Sequence, residues 1–164
     1  MTGKTHIMGG IAATTVMATF TDYDPAWFIF AGAIGGLIPD ICHGGSKIGR
    51  KFPLLSKLIN TLFGHRTFTH SLLFLLLVGF VLSLITSNRS FIIGVIIGMI
   101  SHFLLDSMTK QGIKLLYPVN ITIRFPFTTK TGGTVETLVL LGLTLLTIYF
   151  GKDIVLMASS FFVP

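Results

Sequence analysis

Residues 90–108 read SFIIGVIIGMISHFLLDSM. No charge falls between Ser90 and Ser101. The stretch is close to the length of a bilayer span, which takes about 20 mostly apolar residues. At its end His102 and Asp106 stand four apart. Four helical residues advance about 400°, so both side chains leave one face of the helix. The run is lipid-like along its length and ionisable at one end. It predicts an α-helix embedded in a membrane, with its chemistry at the membrane face.

The rest of the chain follows the same pattern. Its 164 residues suffice for a single membrane-embedded domain, 1–164, and only 11% of them are charged. Soluble domains carry about 25%, so much of the surface must face lipid. The 15 Phe and 18 Gly agree, since glycine lets membrane helices approach closely. Five spans are expected: Thr5 to Phe20, Pro25 to Ile41, Thr67 to Thr86, Ser90 to Met108 and Thr134 to Phe150. Asp24 is a good cap for the second and Pro25 suits its first turn. The first span has no A-x-A-like cleavage site after it and is read as retained. The tail from Ile154 to Val163 is too short to cross alone; it either lies in the interface or extends the fifth helix. The fold class is therefore all-α, an integral membrane bundle of about five spans. Cys42 is the one cysteine, so no internal disulfide forms.

Two connections carry further pattern. Leu55, Leu58, Ile59 and Leu62 recur at helical spacing, with Ser56, Lys57, Asn60 and Thr61 on the other side. Basic Lys47, Arg50 and Lys51 precede them. The pattern predicts an interfacial amphipathic helix in the headgroup layer, or else a short helix packed on the protein itself. From Lys114 to Thr131, Tyr117-Pro118 and Phe125-Pro126 rule out a long helix. There Ile121, Ile123 and Phe125 alternate with polar residues, which predicts a short extended segment over the site.

Five spans divide the polar segments between two faces. Lys4, Lys47, Arg50, Lys51, Lys57, Arg66, Lys110, Lys114, Arg124 and Lys130 fall on one face; Arg89 and Lys152 fall on the other. Ten against two places the first face, with the N-terminus, in the cytoplasm. His6, Asp40, His43, His65, His70, His102, Asp106 and Glu136 all belong to that face. Asp22, Asp24 and Asp153 belong to the other. Ionisable groups near hydrocarbon are costly unless paired, hydrated or metal-bound. Imidazole and carboxylate together suit zinc first, and also manganese or iron. The number of donors leaves room for more than one ion. The simpler alternative for His102 and Asp106 is an ion pair at a helix end. For His6 it is a hydrogen-bonded core histidine, and for Asp40 and His43 solvated loop groups. For Glu136 it is a helix-dipole partner, and for Cys42 no role at all.

These residues also resemble a known family. Leu37-Ile38-Pro39-Asp40, Gly64-His65-Arg66 with Thr69-His70-Ser71-Leu72, and Ser101-His102-Phe103-Leu104-Leu105-Asp106 with Thr109 and Gly112 look like the YdjM-like bacterial inner-membrane proteins. Those are described as membrane-bound metal-dependent hydrolases. The likeness runs from His6 to about Glu136. Where family members often read P-D-I-D-H, this chain has Pro39-Asp40-Ile41-Cys42-His43, with Cys42 in place of the second acid. The family in turn is distantly similar to zinc-dependent phospholipase C and P1-type nucleases. The resemblance implies phosphodiester cleavage and a bacterial inner-membrane location.

Residues and resemblance together lead to the expectation of a metal-dependent hydrolase acting on a phosphoester of a membrane lipid. His6, Asp40, His65, His70, His102 and Asp106 are the candidate metal ligands; His43, Glu136 and Cys42 are possible additions. Asp40, Asp106 and Arg66 are the candidate catalytic residues. Arg66, Lys47 and Arg50 would receive the anionic headgroup. The alternatives are a divalent-cation transporter or sensor, which needs ionisable groups along a path, and a non-catalytic membrane subunit. Nucleic acid is not an expected partner, because topology accounts for the basic residues.

Overall fold

A computed structural model describes the backbone of residues 1–160 and the side chains of residues 1–154. The described residues form seven α-helices: α1 (Gly3–Ala18), α2 (Pro25–Gly35), α3 (Lys47–Lys51), α4 (Pro53–Phe63), α5 (Leu72–Ile85), α6 (Arg89–Ser107) and α7 (Thr134–Ser160). Two 3-10 turns, Ile38–Cys42 and Phe68–His70, stand between them. No strand occurs among the described residues. α1, α2 and α6 pack on one another as the core, α7 lies against α1, and α5 lies against α6.

Local chemistry sets these boundaries. Asp24 caps α2 by accepting from Ala26 N at 2.9 Å and Trp27 N at 3.2 Å. Ser71 caps α5 through Phe74 N, and Asn88 caps α6 through Phe91 N. Two expected spans are interrupted. The second ends its α-helix at Gly35 and continues as the 3-10 turn, because Pro39 lacks the amide hydrogen that the α ladder needs. The third is not helical from Thr67; His70 closes a 3-10 turn and the extended Ser71 starts the helix afresh.

Among the described residues, three helical segments are long and apolar enough to cross a membrane: Pro25–Cys42, Arg89–Ser107 and Thr134–Ile154. The other two expected spans are shorter. α1 has 16 residues and α5 has 14. At 1.5 Å per residue α5 reaches only about 21 Å, against about 30 Å of hydrocarbon. The apolar tail continues α7 as far as Ser160, and its last residues lie outside the described ones.

Glycines let the core helices touch backbone to backbone. A Cβ on Gly98 of α6 would come within 2.2 Å of the Gly32 carbonyl oxygen of α2, and one on Gly36 within 2.3 Å of the His6 carbonyl oxygen. This contact brings the ends of α1, α2 and α6 to one place.

The amphipathic helix is present as α4, but its orientation is the reverse of a soluble helix. Ser56 is buried towards the protein, while Leu54, Leu55, Leu58 and Leu62 face outward. Packing of the leucine face on the protein itself is thereby ruled out. The segment after α6 is not a strand. Ile113 and Ile123 exchange backbone hydrogen bonds of 3.0 and 2.8 Å as an isolated antiparallel pair. Phe125 N donates to Ser107 O, and Lys114 N donates to Arg66 O, so the segment covers the end of α6.

Candidate metal centre

Four side chains from three places meet at that end. The 3-10 turn after α2 presents Asp40, the turn before α5 presents His70, and the last turns of α6 present His102 and Asp106. His70 Nε2 lies 3.2 Å from His102 Nε2. It lies 3.4 Å from Asp106 Oδ2, and His102 Nε2 lies 3.6 Å from the same oxygen. Asp40 Oδ1 is 3.8 Å from each imidazole Nε2. All four donor atoms fall within 4.8 Å of one another. A tetrahedral ion with bonds of about 2.0–2.1 Å holds its ligand atoms roughly 3.3 Å apart. The side chains are therefore spaced as ligands around one small cation.

The hydrogen bonds behind the rings fix which nitrogen faces inward. His102 Nδ1 is 2.8 Å from the Gly36 carbonyl oxygen, which only accepts, so Nδ1 donates. The Thr69 hydroxyl donates to Cys42 Sγ at 3.1 Å, and its oxygen takes the Nδ1–H of His70 at 3.0 Å. With Nδ1 as the donor on each ring, Nε2 is the nitrogen that faces the other donors. Burial pushes His70 down to about 4, so this ring is neutral near pH 7. Two imidazole nitrogens 3.2 Å apart, beside two carboxylate oxygens, are spaced to share a cation between them. Metal-binding histidines are held in just this way by a carbonyl or hydroxyl on the other ring nitrogen. The donor set fits a divalent ion of the zinc, manganese or iron class.

Further groups surround Asp106. His6 Nε2 stands 3.1 Å from its other oxygen, Oδ1, and the His6 ring stacks on His102 at 3.7 Å. Both His6 ring nitrogens are buried without a hydrogen-bond partner. The four donors that lie within 4.8 Å of one another do not include His6, which stands beside them. The Met1 amine also touches Asp106 Oδ1. Arg66 turns inward: Nη2 is 3.0 Å from Asp106 Oδ2 and Nη1 donates to Thr109 Oγ1 at 2.6 Å. Its side chain is only 11% exposed, and its φ of 60° is a conformation that non-glycine residues rarely adopt.

The remaining candidates divide. His65 lies outside the four-donor group, with Nδ1 3.3 Å from Cys42 Sγ. Burial lowers its pKa, and the Arg66 charge lowers it further. The His43 ring packs 4.9 Å from that of His65. Glu136 is buried and fully used by the chain: Oε1 accepts from Thr2 N and Thr5 Oγ1, and Oε2 from Gly132 N, each at 2.6 Å. It ties α7 to α1 and does not reach the ligand group. Lys47 and Arg50 line a cleft of about 460 Å³ together with Lys4, Asp40 and His43. Sequence reasoning missed Gly36 and Thr69, which orient the two imidazoles. Thr69 stands next to His70 and was open to suspicion on that ground. Gly36 offers only a backbone carbonyl, which no side-chain pattern announces.

The family described as YdjM inner membrane protein matches residues 1–161 of the chain. The chain is 55% identical over 150 residues to a protein of Bacillus subtilis named "Uncharacterized protein YvsG", covering 92% of this chain and 94% of that one. It is 36% identical over 138 residues to the inner membrane protein YdjM of Escherichia coli, covering 77% of this chain and 70% of that one. The inner membrane protein YbcI of Escherichia coli is 34% identical over 103 residues, 57% of this chain and 55% of that one. No solved structure matches the chain at a significant level.

Proposed function

The chain belongs to the YdjM inner membrane protein family, and from that premise we propose that it is a metal-dependent hydrolase of a phosphoester on a membrane lipid, working at the cytoplasmic face. One observation carries the reading: two imidazole nitrogens stand 3.2 Å apart, with an oxygen of Asp40 and one of Asp106 3.4–3.8 Å from each. A divalent ion held there would polarise a phosphoryl oxygen and activate water near neutral pH.

The chain's own residues supply the rest. Asp40, 12% exposed, is the member of the group nearest solvent. It opens on the cleft where Lys4, Lys47 and Arg50 stand. Those three cations would hold an anionic headgroup against the Asp40 side of the group. Arg66 pairs with Asp106 Oδ2 at 3.0 Å and orients it towards the imidazoles, and the segment after α6 covers that end of the helix. In the reaction, water oxygen bonds to phosphorus, the ester P–O bond breaks, and the departing alkoxide takes up the proton that the water releases. The outward leucines of α4, beside Lys47, Arg50 and Lys51, support a helix lying in the headgroup layer next to the cleft. With α1 and α5 counted as crossings, the ten-to-two excess of basic residues supports a cytoplasmic orientation.

The test is elemental analysis of the purified protein and of a His102→Ala variant, with a panel of phospholipids assayed for released headgroup. The expected result is bound zinc, manganese or iron and headgroup release, both lost in the variant. A preparation that holds metal yet cleaves no phospholipid class would overturn the activity. One that holds no metal would overturn the whole reading.

A further inference from the structure

The segment after α6 holds basic residues that the reaction above leaves unused. Thr129 N donates to Met108 O at 2.9 Å and Lys110 N donates to Thr129 O at 3.3 Å, which brings Lys110 and Lys130 to one cleft at the end of α6. That cleft has a volume of about 230 Å³, and Arg66, Gln111 and Thr131 also line it. A neighbouring cleft of about 230 Å³ shares Arg66 and Gln111 with it and adds Lys114. No acid lines either one. Thr131 also lines the larger cleft of Lys4, Lys47 and Arg50, so the Lys110 cleft adjoins the place assigned to the headgroup. Arg66 is the buried part of the wall. Its Nη2 pairs with Asp106 and its Nη1 donates to Thr109, but its Nε is buried without a hydrogen-bond partner. Buried donors in folded proteins nearly always have an acceptor.

We propose that the Lys110–Lys130 cleft is an anion subsite for a second phosphate group, and that the lipid acted on carries one: a headgroup with a terminal phosphate monoester beyond the phosphoester that is cleaved. This deepens the proposed function and rests on it. A phosphate in the cleft is positioned to supply the acceptor that Arg66 Nε lacks. Lys110 and Lys130 flank it, and Lys114 adds positive potential from the neighbouring cleft. A phosphate monoester carries a charge of about −1.5 to −2 at pH 7, which suits a cluster of lysines without an acid better than the single charge of a phosphodiester does. The walls are mainly Lys, Gln and Thr side chains, which fit a phosphate and not an acyl chain. Topology alone puts lysines on this face, but it asks only that they be solvated. It does not ask them to share a wall with a buried guanidinium. The subsite confers a preference: it holds one end of the headgroup while the other phosphate reaches the four-donor group past Asp40.

The full chain is purified in detergent, and calorimetry measures its binding of two short-chain lipids, dihexanoyl phosphatidylglycerol and the same lipid with a terminal phosphate. The terminal phosphate should tighten binding about 10-fold or more at low salt, the scale of hydrogen bonds to charged groups. The preference should persist in chelator, because the subsite lies outside the four donors. Lys110→Gln with Lys130→Gln, both exposed side chains, should bind the two lipids alike. Lys51→Gln with Lys57→Gln removes the same charge from α3 and α4, outside the cleft, and should keep the preference. Inorganic phosphate, titrated alone, should bind about 10-fold or more weakly than the phosphorylated lipid, since only the lipid tethers its phosphate beside the cleft. No preference in the wild type, its persistence in the Lys110 and Lys130 variant, or an equal loss in both double variants overturns the subsite. A preference that chelator abolishes puts the second phosphate on a metal and overturns it too. Inorganic phosphate bound as tightly as the lipid makes free phosphate the ligand and overturns the lipid as its source. A chain that keeps the preference yet cleaves neither lipid loses the proposed reaction and keeps the subsite.

Discussion

α6 and α7 are both long and apolar enough to cross a membrane, with mean hydropathies of 1.8 and 1.7, yet they live in different surroundings. More than half of α6 is buried among its neighbours, and between Thr134 and Ile154 almost none of α7 is. Hydropathy does not separate them; glycine placement does. On α6, a Cβ at Gly94 would meet the Phe28 carbonyl oxygen at 2.5 Å, and one at Gly98 the Gly32 carbonyl oxygen at 2.2 Å. On α7, Gly142 has nothing within 4 Å. A glycine four residues before another turns a lipid-facing helix into a packed one, because two backbones then touch without side chains between them. The packed helix is also the one that carries His102 and Asp106. A centre assembled from several helix ends needs at least one helix fixed against its neighbours on the scale of a single bond.

The contrast breaks most visibly at Gly98. Gly98→Ala forces α6 away from α2 and should destabilise the protein by about 1–3 kcal/mol or more, the usual cost of overpacking. His102 is one turn further on and donates to Gly36 of the same α2 segment, so the same displacement loosens an imidazole. Zinc affinity should fall about 10-fold or more, in line with loss of a supporting hydrogen bond. Thermal unfolding in detergent and zinc titration measure the two effects. A variant of unchanged stability and affinity would mean that the α2–α6 contact is not what positions the site.

The sequence made the one-ended collection of donors legible, because His6, Asp40, His70, His102 and Asp106 each fall at the end of an apolar run. It did not sort them. The division between the inner four and His65 depends on the turn around Gly64 and Arg66, where a non-glycine residue at φ 60° defies any propensity. The inward turn of Arg66 was hidden for the same reason: a basic residue in a polar loop reads as a headgroup contact. Pro39 was visible within the second expected span, but hydropathy averaged over it and concealed the 3-10 turn that aims Asp40. Five apolar runs were equally plain. Two of them, α1 and α5, are shorter than a span, because helix ends are set by capping and backbone geometry rather than by where polarity begins.

Glu136 sharpens the comparison from the α7 side. It is a buried carboxylate, as Asp106 is, yet its oxygens accept from Thr2, Thr5 and Gly132, while those of Asp106 meet Arg66, the Met1 amine and the imidazoles. Glu136→Gln keeps one accepting oxygen and turns the other into a donor. It should cost about 1–2 kcal/mol of stability, the scale of weakened charge-assisted hydrogen bonds, and leave the zinc content unchanged. Loss of zinc from a folded Glu136→Gln protein would show that the acid belongs to the metal centre after all.

The smallest expected effect is at Gly142, and its sign is the informative part. A methyl group there meets nothing among the described residues. It removes the conformational freedom that makes glycine unfavourable in a helix, a preference for alanine of about 1 kcal/mol at most. Gly142→Ala should therefore raise the unfolding temperature slightly or leave it unchanged, with zinc content unaltered. Gly98→Ala applies the same chemical change to an equally apolar helix and lowers stability. Opposite signs for one substitution leave neighbouring backbone as the sole variable. If Gly142→Ala instead destabilises the protein by as much as Gly98→Ala, the open face of α7 is covered by a partner, and a second copy of the chain is the first to test by crosslinking in the membrane.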